Sequence, residues 1–207
     1  MYEAGDGYLL WLRLRRSAPK SYLEVREMTR RCIMIIPELE EAHRIEAVRE
    51  KYDPLHGIVK PHITLVFPFG SDLTKDELRA HILSALSGYN PFPLVMSGVS
   101  ARREPDGCYI YLNVAEGQEI IRRISGQLYE GVLSTYKSGR YDAYAPHITL
   151  GKLPDEAALQ SALTQIGEFP YKFSTTVRSV CVEVIGQDGA SEVEMIFQLS
   201  QGKSGKR

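Results

Sequence analysis

The sequence predicts an α+β fold built from two related halves. Three observations predict it. The pentapeptide Pro61-His62-Ile63-Thr64-Leu65 recurs unchanged as Pro146-His147-Ile148-Thr149-Leu150. Short apolar strand-like runs alternate with amphipathic helical stretches in two similar rounds. No Gly/Ser-rich linker separates the rounds, so residues 31–200 read as one bilobal domain.

The elements follow in order. Residues 1–30 stand apart, with six basic against four acidic residues, and read as a loosely held extension. A basic arm over an active cleft is the functional alternative for that segment. The apolar run 32–36 closes on Pro37 and predicts a buried strand, followed by a helix over 38–51. A strand over 62–67 carries the first pentapeptide. The helix expected over 73–86 opens on Thr74 as N-cap, and Glu77 three residues on gives the spacing of a capping box. Residues 94–101 and 108–114, on either side of Asp106-Gly107, read as a hairpin. A helix over 118–136 places Ile120, Ile121, Ile124, Leu128 and Val132 on one stripe. The second pentapeptide lies on a strand over 147–153, and Pro154-Asp155 opens a helix reaching 166. Strands over 173–185 and 192–199 flank the turn Gln187-Asp188-Gly189, and 201–207 form a polar tail.

Composition narrows the function. The chain has 207 residues, 43% of them hydrophobic, and 25 Lys+Arg offset 26 Asp+Glu for a net charge of -1. No global positive field exists to hold duplex nucleic acid or an anionic membrane, so a nucleic-acid activity has to be local, at one end or one phosphate. Cys32, Cys108 and Cys181 are far apart and flanked by apolar residues, the pattern of reduced core thiols. No apolar run nears the roughly 18 residues of a membrane span. The patch 8–12 precedes Arg13, Arg15 and Arg16 rather than following basic residues, the reverse of a secretory signal. The expectation is a cytoplasmic, monomeric protein.

On a strand, side chains alternate between faces. His62, Thr64 and Val66 are therefore expected on one face, with Ile63, Leu65 and Phe67 on the other. In the second copy His147, Thr149 and Gly151 share a face opposite Ile148, Leu150 and Lys152. One His-x-Thr alone is most simply an ordinary half-buried histidine. Two copies in two matched halves instead bring two imidazoles to one cleft. An ordinary imidazole pKa of about 6.5 lets one ring accept a proton while the other donates one. In-line displacement at phosphorus needs that pairing, and threonine hydroxyls suit the non-bridging oxygens.

At these residues the sequence resembles the two-histidine (2H) phosphoesterase superfamily, which includes LigT-like 2'-5' RNA ligases and 2',3'-cyclic nucleotide phosphodiesterases. Both His-x-Thr motifs match its signature, and the stretch from Lys60 through Phe69 is similar to the bacterial 2'-5' RNA ligase branch. The resemblance implies a bilobal fold of two pseudo-symmetric antiparallel sheets with outer helices around a central cleft. It implies His62 and His147 as the catalytic acid/base pair, Thr64 and Thr149 as phosphate ligands, and no metal or organic cofactor. The implied substrate is a small nucleotide or RNA terminus carrying a 2',3'-cyclic phosphate or a 2'-5' linkage, and ADP-ribose 1'',2''-cyclic phosphate fits the motifs too. Which histidine is the acid stays open at this point.

Lys60, Phe67, Phe69 and Tyr144 are the candidate substrate contacts, and Tyr109, Tyr111 and Tyr141 are further rings on which a base could stack. Arg102, Arg103, Arg178 and Lys152 are candidate cations. His43, His56 and His81 have no counterpart in the other half and read as structural. Zinc at His62 and His147 is the rival chemistry, yet no H-E-x-x-H, cysteine cluster or acidic residue stands at ligand spacing. The rival function is a non-catalytic module that holds a nucleotide or RNA terminus in the same cleft.

Overall fold

The computed structural model describes residues 28–137 and 144–200. The basic segment up to residue 27, Tyr141 and the tail 201–207 lie outside the described residues. The described chain runs β1 (Thr29–Ile35), α1 (His43–Tyr52), β2 (Ile63–Ser71), α2 (Lys75–Ala85), β3 (Phe92–Glu104), β4 (Gly107–Glu116) and α3 (Gln118–Leu128). A 3-10 turn (Gly131–Tyr136) follows, then β5 (His147–Leu153), α4 (Glu156–Ile166), β6 (Lys172–Val177), β7 (Ser179–Ile185) and β8 (Ser191–Gln198).

The strands form two four-stranded antiparallel sheets, ordered β2-β1-β7-β8 and β5-β4-β3-β6. The two repeat strands, β2 and β5, occupy equivalent edge positions. Each is backed by a helix from the other round: α1 packs on β5, and α3 packs on β2. The helix that leads into each histidine strand thus braces the opposite one.

Local signals account for the helix ends. The Thr74 hydroxyl accepts the Glu77 N–H at 3.2 Å and the Glu77 carboxylate accepts the Thr74 N–H at 2.8 Å, closing the expected capping box. Asp155 caps α4 by accepting the Ala158 N–H at 2.8 Å. On α3, Ile121, Ile124 and Leu128 are fully buried, each contributing roughly 1.5–3 kcal/mol of apolar burial. Among the described residues no helix is long and apolar enough to cross a membrane.

Four elements differ from the sequence expectation. Strand β1 begins at Thr29, three residues early, because Thr29 and Arg30 continue the ladder to Ser71 and Gly70. Helix α1 begins only at His43, since Glu41 takes a left-handed φ of 58° that no helix interior accepts. The helix expected over 118–136 stops at Leu128, and Val132 is exposed on the separate 3-10 turn. Gly131, with φ 55°, redirects the chain there. The strand expected over 173–185 is two strands in two sheets, broken at Arg178, whose carbonyl accepts the Leu199 N–H at 2.8 Å.

Candidate active site

Both repeat strands carry a β-bulge at the leucine of the pentapeptide. On β2 the pairing jumps from Ile33↔Val66 to Met34↔Thr64, leaving Leu65 as the extra residue. On β5 it jumps from Ile110↔Gly151 to Tyr111↔Thr149, leaving Leu150. A bulge reverses the face parity beyond it. Two sequence expectations are therefore corrected in the same way. Val66 and Gly151, expected beside the histidines, are buried, while Phe67 and Lys152, expected on the opposite faces, turn to the side of Thr64 and Thr149.

The bulges are held differently. On β2 the groups it leaves out of the ladder are taken one by one. The Ser125 hydroxyl donates to the Leu65 carbonyl at 2.6 Å, the Cys32 thiol donates to the Val66 carbonyl at 3.2 Å, and the Phe67 N–H donates to the Tyr129 hydroxyl at 2.9 Å. Ser125 and Tyr129 stand one turn apart along α3. On β5 close packing does the work: a Cβ on Gly151 would lie 2.8 Å from the Tyr52 Cβ and 3.2 Å from its carbonyl oxygen. Only glycine admits α1 so near the second motif, which explains why Gly151 stands where the first copy has Val66.

The two histidines are locally equivalent. The His62 Nδ1–H donates to the Lys60 carbonyl at 2.8 Å, and the His147 Nδ1–H donates to the Ala145 carbonyl at 2.6 Å. A carbonyl only accepts, so each neutral ring carries its proton on Nδ1 and leaves Nε2 as a proton acceptor. Their electrostatics differ. Burial lowers the pKa of both rings. For His62 the opposing influences include the Glu183 and Asp53 carboxylates, which favour the charged form, with Arg49 against it. For His147 the charged neighbours are cationic, His62 when protonated and Arg102, and its pKa falls to about 4.

A cleft of roughly 600 Å³, counting its open mouth, is lined by Thr64, Phe67, Arg102, Tyr109, Tyr111, Tyr144, His147 and Thr149, among others. It therefore brings together residues from both repeat strands. His62 stands just before β2, two residues ahead of Thr64, and does not line this enclosed part; a charge on it still disfavours a charge on His147. Tyr144 bridges the strands, its hydroxyl donating to the Thr64 carbonyl at 2.5 Å and its ring meeting Phe67 edge-on at 6.3 Å.

The other candidates divide. Phe69 is corrected: it is 5% exposed in the core, tilted against Tyr136 at 5.1 Å, because the second register irregularity on β2 turns it inward. The Lys60 side chain is exposed and does not line the cleft; this residue contributes its carbonyl. Lys152 stacks over Tyr109 at 5.3 Å and pairs with Asp106 at 3.1 Å. Arg102 lines the cleft beside Glu104, 2.7 Å away, whereas Arg103 is engaged by Glu156. The His81 Nε2–H donates to the Leu128 carbonyl at 2.9 Å, and His56 lies 3.5 Å from Glu46. Burial pushes the Cys32 and Cys181 thiols up to about 12, so neither is a nucleophile. Among the described residues no group of three His, Cys, Asp or Glu is placed to hold a metal ion.

The model of the 2'-5' RNA ligase superfamily matches residues 37–189, which contain both histidine strands. The chain belongs to that superfamily. Among curated proteins similar to it, ones of Bacillus thuringiensis and Bacillus anthracis that carry a phosphoesterase name are each 26% identical over 176 residues, covering 83% of this chain and 98% of theirs. The fold is that of LigT. Escherichia coli LigT complexed with 3'-AMP aligns with TM-score 0.58 at 18% identity, covering 84% of this chain and 100% of that one. A second solved structure, described as a phosphoesterase, aligns with TM-score 0.55 at 19% identity over 84% of this chain and 100% of its own.

Sequence reasoning missed Ser125 and Tyr129, which hold the bulge of the first histidine strand. Ser125 is the one polar residue on the buried stripe of α3, and that mismatch is a signal the sequence did carry.

Proposed function

We propose that the protein is a metal-independent phosphoesterase that opens a 2',3'-cyclic phosphate, or breaks or makes a 2'-5' linkage, at a nucleotide or RNA end. The observation that carries this reading is the matched pair of Nδ1–H···O=C bonds, which leaves Nε2 of both His62 and His147 available for proton transfer. Membership of the superfamily and the LigT fold support it. So does the binding of 3'-AMP by Escherichia coli LigT, a nucleotide of the implied class.

The differing electrostatics favour one assignment of the roles. Neutral His147 accepts a proton at Nε2 from water as the water oxygen bonds to phosphorus. The bond from phosphorus to the departing ribose oxygen breaks on the far side, and protonated His62 delivers its Nε2 proton to that oxygen. The cyclic diester becomes a monoester and the two rings exchange protonation states. His147 suits the base because its charged neighbours disfavour its protonation; burial lowers His62 too, but Glu183 and Asp53 partly offset that and suit it to the acid. Thr64 and Thr149 hydroxyls donate to the non-bridging oxygens. Tyr109 offers a face for a nucleobase.

A panel of nucleoside 2',3'-cyclic phosphates and 2'-5' linked dinucleotides, assayed after EDTA treatment, tests the proposal. Turnover unchanged by EDTA is expected. Binding without turnover across the panel would instead identify a non-catalytic module.

A further inference from the structure

Arg49 is a fully buried guanidinium, 1% exposed, that the proton transfers above do not use. Its donors are taken from every side. Nε donates to Asp53 Oδ2 at 2.8 Å, Nη1 to both Glu46 oxygens at 3.0 and 3.2 Å, and Nη2 to the Val59 carbonyl at 2.7 Å and the Leu55 carbonyl at 3.5 Å. Burying such a charge is costly, and an apolar side chain of equal volume commonly stabilises as well or better.

The guanidinium holds a loop, residues 54–61, in which no side chain is buried. Between α1 and His62 the large apolar residues Leu55 and Ile58 are 45% and 46% exposed, so they do not anchor the segment. Arg49 grips the loop at Leu55 and Val59, and Asp53 Oδ1 accepts the Leu55 N–H at 3.0 Å. The carbonyl one residue past Val59 belongs to Lys60, and it is the one that receives the His62 Nδ1–H.

We propose that Arg49 is the positioning residue of His62: its guanidinium fixes the loop whose Lys60 carbonyl keeps the imidazole in its Nδ1–H tautomer. The same helix ends at Tyr52 against Gly151, two residues past Thr149. The C-terminal turn of α1 is thus a strut with one end on the loop of His62 and the other on the strand of His147. Tyr144 serves the second motif comparably, reaching from just before Ala145 to the Thr64 carbonyl. The inference rests on His62 acting in proton transfer, but its test does not require a substrate.

The test is Arg49→Lys, which keeps the charge but cannot reach Asp53, Glu46 and Val59 together. Histidine-selective 15N NMR reads the tautomer of each ring at a pH where both are neutral. The expected result is a His62 signal shifted from Nδ1–H toward a mixture of tautomers, with His147 unchanged. On a substrate that the wild type turns over, kcat should fall about 10- to 100-fold with KM within about threefold. An unchanged His62 tautomer, with full activity per folded molecule and only a lower Tm, would overturn the proposal. Should Arg49→Lys not fold, Asp53→Asn carries the same test, since it weakens the grip while keeping the side-chain shape; the same tautomer shift supports the proposal and its absence overturns it. Absence of any turnover by the wild type would count against the proposed function alone, because the tautomer readout stands without it.

Discussion

Tyr111 lies flat on His147, their ring centroids 3.6 Å apart and their planes 23° from parallel. The stack fixes the imidazole plane while the Ala145 carbonyl fixes its tautomer, so together they orient Nε2. An aromatic contact of this kind is worth about 0.5–1.5 kcal/mol. Tyr111→Leu should accordingly lower kcat/KM up to about tenfold, and Tyr111→Phe, which keeps the stack, should stay closer to wild type. Steady-state kinetics on the two variants checks this; equal losses would place the role in the hydroxyl.

The β2 bulge depends on Ser125. Ser125→Ala leaves the buried Leu65 carbonyl without its 2.6 Å donor, at a cost of about 1–3 kcal/mol. In a domain of this size that lowers Tm by several degrees. Calorimetry should show this loss, and kcat should fall too, because Thr64 and Phe67 are aimed by the same bulge.

Gly151→Ala should destabilise by about 1–3 kcal/mol through overpacking against Tyr52. Denaturant unfolding measures it. A neutral result would mean that α1 moves away freely, and the brace between the two motifs would lose its support.

Much of this was legible in sequence, and the repeat carried most of it. Identical pentapeptides gave matched strands, and the capping box at Thr74 and Glu77 placed α2 to within two residues. Strand parity beyond each leucine was not legible. Whether Phe67 or Val66 faces the cleft is decided by Ser125, Tyr129 and Cys32, residues distant in sequence that capture the bulge. Phe69 was misplaced because the second register irregularity, between Val66 and Phe69, turns it into the core. The break at Arg178 was hidden because 173–185 reads as one apolar-patterned run, and only the topology shows that β6 and β7 join different sheets. Arg49 lies in a charged helix, and its burial depends on the fold of the loop beyond it, which local sequence pattern does not reveal.

Both imidazole pKa values lie below the ordinary value, so the folded protein binds fewer protons than the unfolded chain between about pH 4 and 6.5. The stability this brings is complete above about pH 6.5 and is lost as pH falls toward 4. His147→Gln should flatten the dependence of Tm on pH across that window. In kcat/KM, His147 must be neutral and His62 protonated, which puts the optimum on the acid side of pH 6.5. Arg102→Ala removes a cation that disfavours His147 protonation, so the acid limb should move up in pH. Stopped-time assays from pH 4 to 8 check both statements.

The central claim is that His62 and His147 act together on one phosphate. The most direct measurement is turnover of a 2',3'-cyclic nucleotide by wild type, His62→Ala, His147→Ala and the double variant, with folding verified by circular dichroism. Each single variant should lose about 10²- to 10⁴-fold in kcat/KM, and the double variant should lose far less than the product of the two, because the two groups serve one step. Full activity in the double variant would contradict the account.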